Sequence, residues 1–214
     1  MAQGTNYKVA FRRRREGKTD YKARMNLVDY DKSRLVVRVS NAHATVQVVD
    51  YDKSRLVVRV SNSHATVQVV DYAPEGDVTV ASAVSKQLAK YGYLGSTSNL
   101  SAFYLTAYLC AKRALANGVE YAILDIGLRS PIKGSKVFAA LKGAVDAGLE
   151  VPHGDFIFPE DERIRGEHVA NYAESLDEEE VNKKFSKYFE RGLNPVDLPE
   201  NFDETLKNID EAEE

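Results

Sequence analysis

Residues 121–148 read YAILDIGLRSPIKGSKVFAALKGAVDAG, passing from one hydrophobic period to another within a single stretch. Residues 121–128 are nearly continuously apolar, the pattern of a strand covered on both faces, with Asp125 as the one charge. A polar loop with Pro131 and Gly134 follows. From Ser135 onward Val137, Phe138, Leu141, Ala144 and Val145 recur at helical spacing up to Gly148, where a positive φ is cheap. A strand, a loop and a helix in that order predict an α/β (α+β) body, a central mixed sheet flanked by helices.

Upstream, Asn99 is a cap for a longer helix in which Leu100, Phe103, Tyr104, Leu109 and Leu115 are near helical spacing, ending at Asn117-Gly118. Val84, Leu88 and Tyr91 predict a short helix closed by Gly92. Residues 78–83 read as a strand reached through the turn formers of residues 73–77. Before them stands an internal repeat. Residues 29–49 reappear as 50–70, a 21-residue period with one difference, Ala42 against Ser63. Each copy reads as a hairpin: Leu35, Val37 and Val39 alternate along one strand, Ser40-Asn41 turn, and residues 44–49 return. Two units are too few for a solenoid, so the repeat is a tandem duplication. The second copy runs directly into the Pro74-Gly76 turn and is expected in the sheet. The first should add strands at an edge or stand out as a hairpin.

The 214 residues, 43% of them apolar, suffice for one domain with extensions. The expected division is a basic arm over 1–24, a body over 25–158 and a polar, acidic C-terminal extension over 159–214, extended and in part solvated. The net charge of −3 hides an asymmetry. Residues 1–24 hold 8 basic and 2 acidic side chains, a net +6, while residues 174–214 hold 5 basic and 14 acidic, a net −9. The apolar stretches are too short or too interrupted to span a bilayer, and the basic N-terminus lacks an apolar signal core, so a soluble, intracellular protein without membrane attachment is expected. Cys110, the single cysteine, falls in an apolar helical run and reads as core.

The arm carries the strongest functional signal. Arg12, Arg13, Arg14 and Arg15 are consecutive, Lys8, Lys18, Lys22 and Arg24 surround them, and Tyr7, Phe11 and Tyr21 are interleaved. Cations neutralise phosphates and release counterions, while rings stack on splayed bases, so the pattern suits RNA. Consecutive arginines suit an extended segment threaded among phosphates; a solvated or localisation-type basic run is the plainer alternative. The loop Arg129, Lys133, Ser135 and Lys136 offers cations and a helix start to a phosphate, though Pro131 and Gly134 also suit a mere turn, and the P-loop spacing is absent. For catalysis the residues are poor. His43 and His64 are copies of one position, and His153 with Asp155 gives two metal ligands without a third. No catalytic residue, metal or cofactor is expected. The alternative classes are a nucleic-acid-processing enzyme using Asp125, His153 and Asp155, and an adaptor whose acidic tail binds a basic protein.

Three stretches, YKVAFRRRREGKTDYKAR at 7–24, AILDIGLRSPIKGSKVFAALKGAVDAGLEVPH at 122–153 and RIRGEH at 163–168, resemble the ribosomal protein family called L eighteen in archaea and L five in eukaryotes. The resemblance runs from Tyr7 to Tyr172, and NPVDLPENFDE at 194–204 looks like archaeal members with acidic extensions, which bacterial members lack. It implies a cytoplasmic ribosomal protein that binds 5S rRNA and large-subunit rRNA beside the neighbouring proteins of the central protuberance. It also implies that the arm contacts rRNA, and that 129–136 and Arg163, Arg165 and His168 lie near it. Family members carry one hairpin where this chain carries two.

Overall fold

The structure, a computed structural model, describes residues 9–10, 12–19, 34–39, 42–49, 54–61, 63–71, 78–124, 126 and 130–213, with the backbone alone for 34–39, 42–49, 54–55, 59–61 and 71. The turn residues Ser40-Asn41 and 73–77, together with Asp125, Tyr7, Lys8, Phe11, Tyr21, Lys22, Arg24 and Arg129, lie outside the described residues.

After a helical turn α1 (Arg12–Arg15) come five strands: β1 (Arg34–Val39), β2 (Ala42–Val49), β3 (Ser54–Ser61), β4 (Ala65–Asp71) and β5 (Val78–Val84). They join a short β6 (Ile123–Leu124) in one mixed sheet. Both copies of the repeat form the expected hairpin in the same register, Val37 opposite Val46 in the first and Val58 opposite Val67 in the second. The second copy joins the sheet as expected. β4 pairs antiparallel with β5, and β3 pairs parallel with β6. Leu56, Val57, Val58, Ala65, Val67 and Val69 are wholly buried. The first copy folds as its own hairpin, β1 against β2.

The helix α2 (Leu100–Ala116) starts where Asn99 caps it, its side chain accepting a hydrogen bond from the Ala102 amide at 2.8 Å, which typically contributes ~1 kcal/mol. α2 is buried on nearly all sides, with Phe103, Leu105, Ala107, Leu109, Cys110 and Ala111 wholly covered, because it lies between the sheet and other helices. Burial pushes the Cys110 thiol pKa up, in keeping with a packing role. α3 (Lys136–Asp146) crosses α2 so closely that a Cβ on Gly143 would stand 2.3 Å from the Tyr104 carbonyl oxygen. Only glycine permits that approach. Ser85–Tyr91 forms a 3-10 helix ending at Gly92, at φ 88°. Of the strand expected over 121–128, the described residues show β6 and a bridge from Tyr121 to Glu150, and both β6 residues are half-buried.

The C-terminal region departs most from expectation. Residues 159–213 are not an extended appendage: they contain α4 (Asp161–Arg165), α5 (Glu167–Glu174), α6 (Glu178–Lys184), α7 (Ser186–Phe189) and α8 (Leu198–Ala212). Ile164, Leu193, Leu198, Phe202 and Ile209 belong to the same core as α2 and the sheet. Sparse apolar residues misled the sequence reading, because on α8 they fall on one face and each reaches the body. Pro195 and Pro199 stand in the first turns of helices, where their missing N–H costs nothing. Gly166, at φ 93°, ends α4 and begins α5, and a Cβ there would meet Leu198 at 2.7 Å.

Candidate RNA interface

The four consecutive arginines, Arg12–Arg15, form one turn of helix rather than an extended thread, and all four are exposed. Successive residues in a helix turn by about 100°, so their guanidinium groups fan outward in several directions. Local bonds hold the turn. Arg12 and Lys18 each reach Glu16 at 2.8 Å, and Arg13 donates to the Thr19 hydroxyl at 2.8 Å. The hydrogen bonds from Lys18 and Arg12 hold the Glu16 carboxyl below its usual pKa. Arg14 and Arg15 project into solvent beside them. The described arm is thus a short, locally braced knob of positive charge.

Lys133 in the loop before α3 and Lys136, the first residue of α3, are exposed. Ser135 occupies the N-cap position with extended backbone angles, and its carbonyl accepts from the Phe138 and Ala139 amides at 3.0 Å each. Its hydroxyl makes no capping hydrogen bond. The Lys136 ammonium stands 5.8 Å from the Phe103 ring centroid. The Gly134 amide donates to the Ile157 carbonyl at 3.0 Å, and Lys142 of α3 pairs with Asp161 of α4. These contacts bring the loop beside the segment leading to Arg163, Arg165 and His168, so two of the three basic stretches are neighbours.

They differ in availability. Arg163 is exposed, whereas Arg165 is engaged by Asp203 of α8 and lies 3.6 Å from Glu167. Burial, then the charge of Arg163, lowers the His168 pKa, which favours the neutral ring. Two exposed apolar side chains at this junction escaped the sequence reading: Ile132, 65% exposed, and Phe156, 75% exposed. Neither stands out in the sequence, since both lie in short apolar-polar mixtures that read as loop.

The enzyme alternative finds little support in the geometry. His153 Nε2 is 3.9 Å from Asp155, and its Nδ1 is 2.6 Å from the Val151 carbonyl oxygen. No group of three metal-ligating side chains occurs among the described residues. A cleft of about 380 Å³ between α5, α6 and the segment after α7 is lined by Leu176, Val181, Phe189 and Val196 with Glu174 and Glu178. Its carboxylates would repel a phosphodiester. None of the described helices is long and apolar enough to cross a membrane.

The profile of the ribosomal large subunit proteins 60S L5 and 50S L18 matches residues 5–52, 49–121 and 117–154. The large ribosomal subunit protein uL18 of Methanobrevibacter smithii is 71% identical over 214 residues, covering all of both chains. That of Methanothermobacter thermautotrophicus is 59% identical over 211 residues, 99% of each chain. That of Aeropyrum pernix is 46% identical over 216 residues, 99% of this chain and 91% of the relative. The similarity therefore includes the helical C-terminal region as well as the body. With 71% identity over the full length and the family profile spanning arm and body, the chain belongs to the family of ribosomal large subunit proteins 60S L5 and 50S L18, a structural, non-enzymatic component of the archaeal-type ribosome that associates with rRNA and other ribosomal proteins.

Proposed function

We propose that this protein binds 5S rRNA and helps attach it to large-subunit rRNA in the central protuberance. The observation that carries this reading is the exposed turn Arg12–Arg15, four guanidinium groups on a braced knob at the basic end of the chain. Each cation brought against a phosphate releases condensed counterions, and Arg additionally offers a planar fork to phosphate oxygens. In this reading Tyr7, Lys8, Phe11, Lys18, Tyr21, Lys22 and Arg24 extend the contact along the arm, the rings stacking on unpaired bases. Lys133, Lys136 and Arg163, with Arg129, Ser135, Arg165 and His168 around them, form a second contact on the body. Residues 1–24 act as the RNA-binding arm, 25–158 as the body and 159–214 as an acidic extension folded onto it.

The test is a titration against cognate 5S rRNA at several salt concentrations, with transfer RNA as competitor and a chain lacking residues 1–24 alongside. Tight binding that resists the competitor and is lost with the arm is expected. Full affinity and an unchanged salt slope without the arm would overturn the reading; equal competition by transfer RNA would reduce the arm to a general polyanion patch.

A further inference from the structure

The two hairpins differ at one position in 21, yet one place in the body is built for such a hairpin, between β5 and β6. The second copy holds it. The contacts that fix it there come from atoms the first copy also possesses. Ser85 Oγ accepts from the Ala65 amide at 2.8 Å, and the first copy offers the amide of Ala44. Thr97 donates to the backbone carbonyl of residue 63, a group that Ala42 has as well. The buried Leu56, Val57, Val58 and Val67 have Leu35, Val36, Val37 and Val46 as counterparts.

On either side of the junction between residues 49 and 50 the two copies form the same hairpin in the same register, Val37 opposite Val46 and Val58 opposite Val67, so the first copy has the shape the place requires. The family profile changes over at the same junction, one matched stretch taking arm and first copy to residue 52, the next beginning at 49 with the second copy and the body.

We propose that the place between β5 and β6 accepts either copy of the repeat, the second occupying it and the first able to replace it. Chain connectivity sets the balance. With the first copy in place, β5 would be reached through residues 51–77, 27 residues in place of the six of 72–77. Loop-closure entropy scaling as the three-halves power of length then favours the second copy about tenfold.

The proposal is tested in the full-length chain by placing a buried carboxylate in one copy at a time. Val46→Asp should leave the thermal midpoint unchanged. Val67→Asp should hand the place to the first copy, leaving a folded protein whose folding constant falls about tenfold. Val46→Asp with Val67→Asp should not fold. A second readout uses disulfide trapping, since Val67 faces Ala83 across β4 and β5. In the Val67→Asp background, Val46→Cys with Ala83→Cys should oxidise to a 46–83 link under native conditions. Val67→Cys with Ala83→Cys in the otherwise unchanged chain is the geometric control. If Val67→Asp alone unfolds the chain as fully as the double variant, or if 46–83 fails to form while the control pair does, the place is specific to the second copy and the proposal is overturned.

Discussion

The two ends of the chain carry opposite charge and use it in opposite ways. The arm, with its net +6 over residues 1–24, leaves its four consecutive arginines in solvent, braced only by Glu16 and Thr19 nearby. The tail, with its net −9 over residues 174–214, turns key carboxylates back onto the body. Glu213 accepts hydrogen bonds from Tyr91 at 2.8 Å and Arg113 at 3.0 Å, and Asp210 accepts from Tyr108 at 2.7 Å and pairs with Lys112 at 2.9 Å. Asp203 holds Arg165. Charge at Arg12–Arg15 stays in solvent; Asp203 and Asp210 of α8, and Glu213 just beyond it, form a clasp within the molecule. Composition alone does not separate the two.

Phe202 tests this contrast with the largest effect. It is 4% exposed and its ring lies tilted against Tyr104 of α2 with centroids 5.5 Å apart, so Phe202→Ala should cost about 3–5 kcal/mol in denaturant unfolding. Removing residues 1–24 should leave the unfolding midpoint unchanged, since none of the arm's described residues belongs to the core. If the two variants lost similar stability, the distinction between a free arm and a docked tail would collapse.

Gly166→Ala comes next. It forces a side chain into a positive-φ site and against Leu198, which should destabilise the tail by about 1–3 kcal/mol. Hydrogen exchange should show protection falling first in α5 and α8, with the sheet less affected.

The polar clasp is weaker. Burial acts to raise the pKa of Glu213 and of Asp210, but hydrogen bonds from Arg113 and Tyr91 on one and from Lys112 and Tyr108 on the other outweigh it, leaving both lowered. A lowered folded pKa gives stability that is fully present above the unfolded values, about 4, and is lost as pH falls through the folded ones. Glu213→Gln and Asp210→Asn should therefore cost about 0.2–1 kcal/mol each at neutral pH, the scale of partly exposed pairs. Their stability should converge with that of the unmodified protein in acid, which pH-dependent unfolding would reveal. The smallest effect on stability belongs to Arg14→Ala and Arg15→Ala, within about 0.5 kcal/mol of zero. Each should instead reduce the salt slope of rRNA binding by about one.

Where apolar spacing was dense, the fold was legible in the sequence. Asn99 marked the start of α2, Ser135 that of α3, and Gly92 closed the turn after β5, because caps and glycine stops act through neighbouring backbone groups. The α/β (α+β) class followed from the change of period between residues 121 and 148. The second hairpin's place beside β5 was legible from its direct connection to that strand. The tail was misread because Leu198, Phe202 and Ile209 are too widely spread among charges to announce a core, and their burial depends on α2 lying opposite them. The arm's chemistry was visible, but its helical turn was not: Arg12–Arg15 is held by Glu16 and Thr19, contacts too local and weak to register as a period.

By itself, the sequence determined the repeat, the basic and acidic ends, the caps and the amphipathic helices, all properties that depend on residues close together in the chain. Only the tertiary structure decided which charges remain available. Tyr91 and Glu213 meet across a separation of 122 residues, and Arg165 meets Asp203 across 38. A side chain's partner at such distance is set by how helices pack on the sheet, and the same packing leaves Arg12–Arg15 exposed while it engages Arg165 and Arg113.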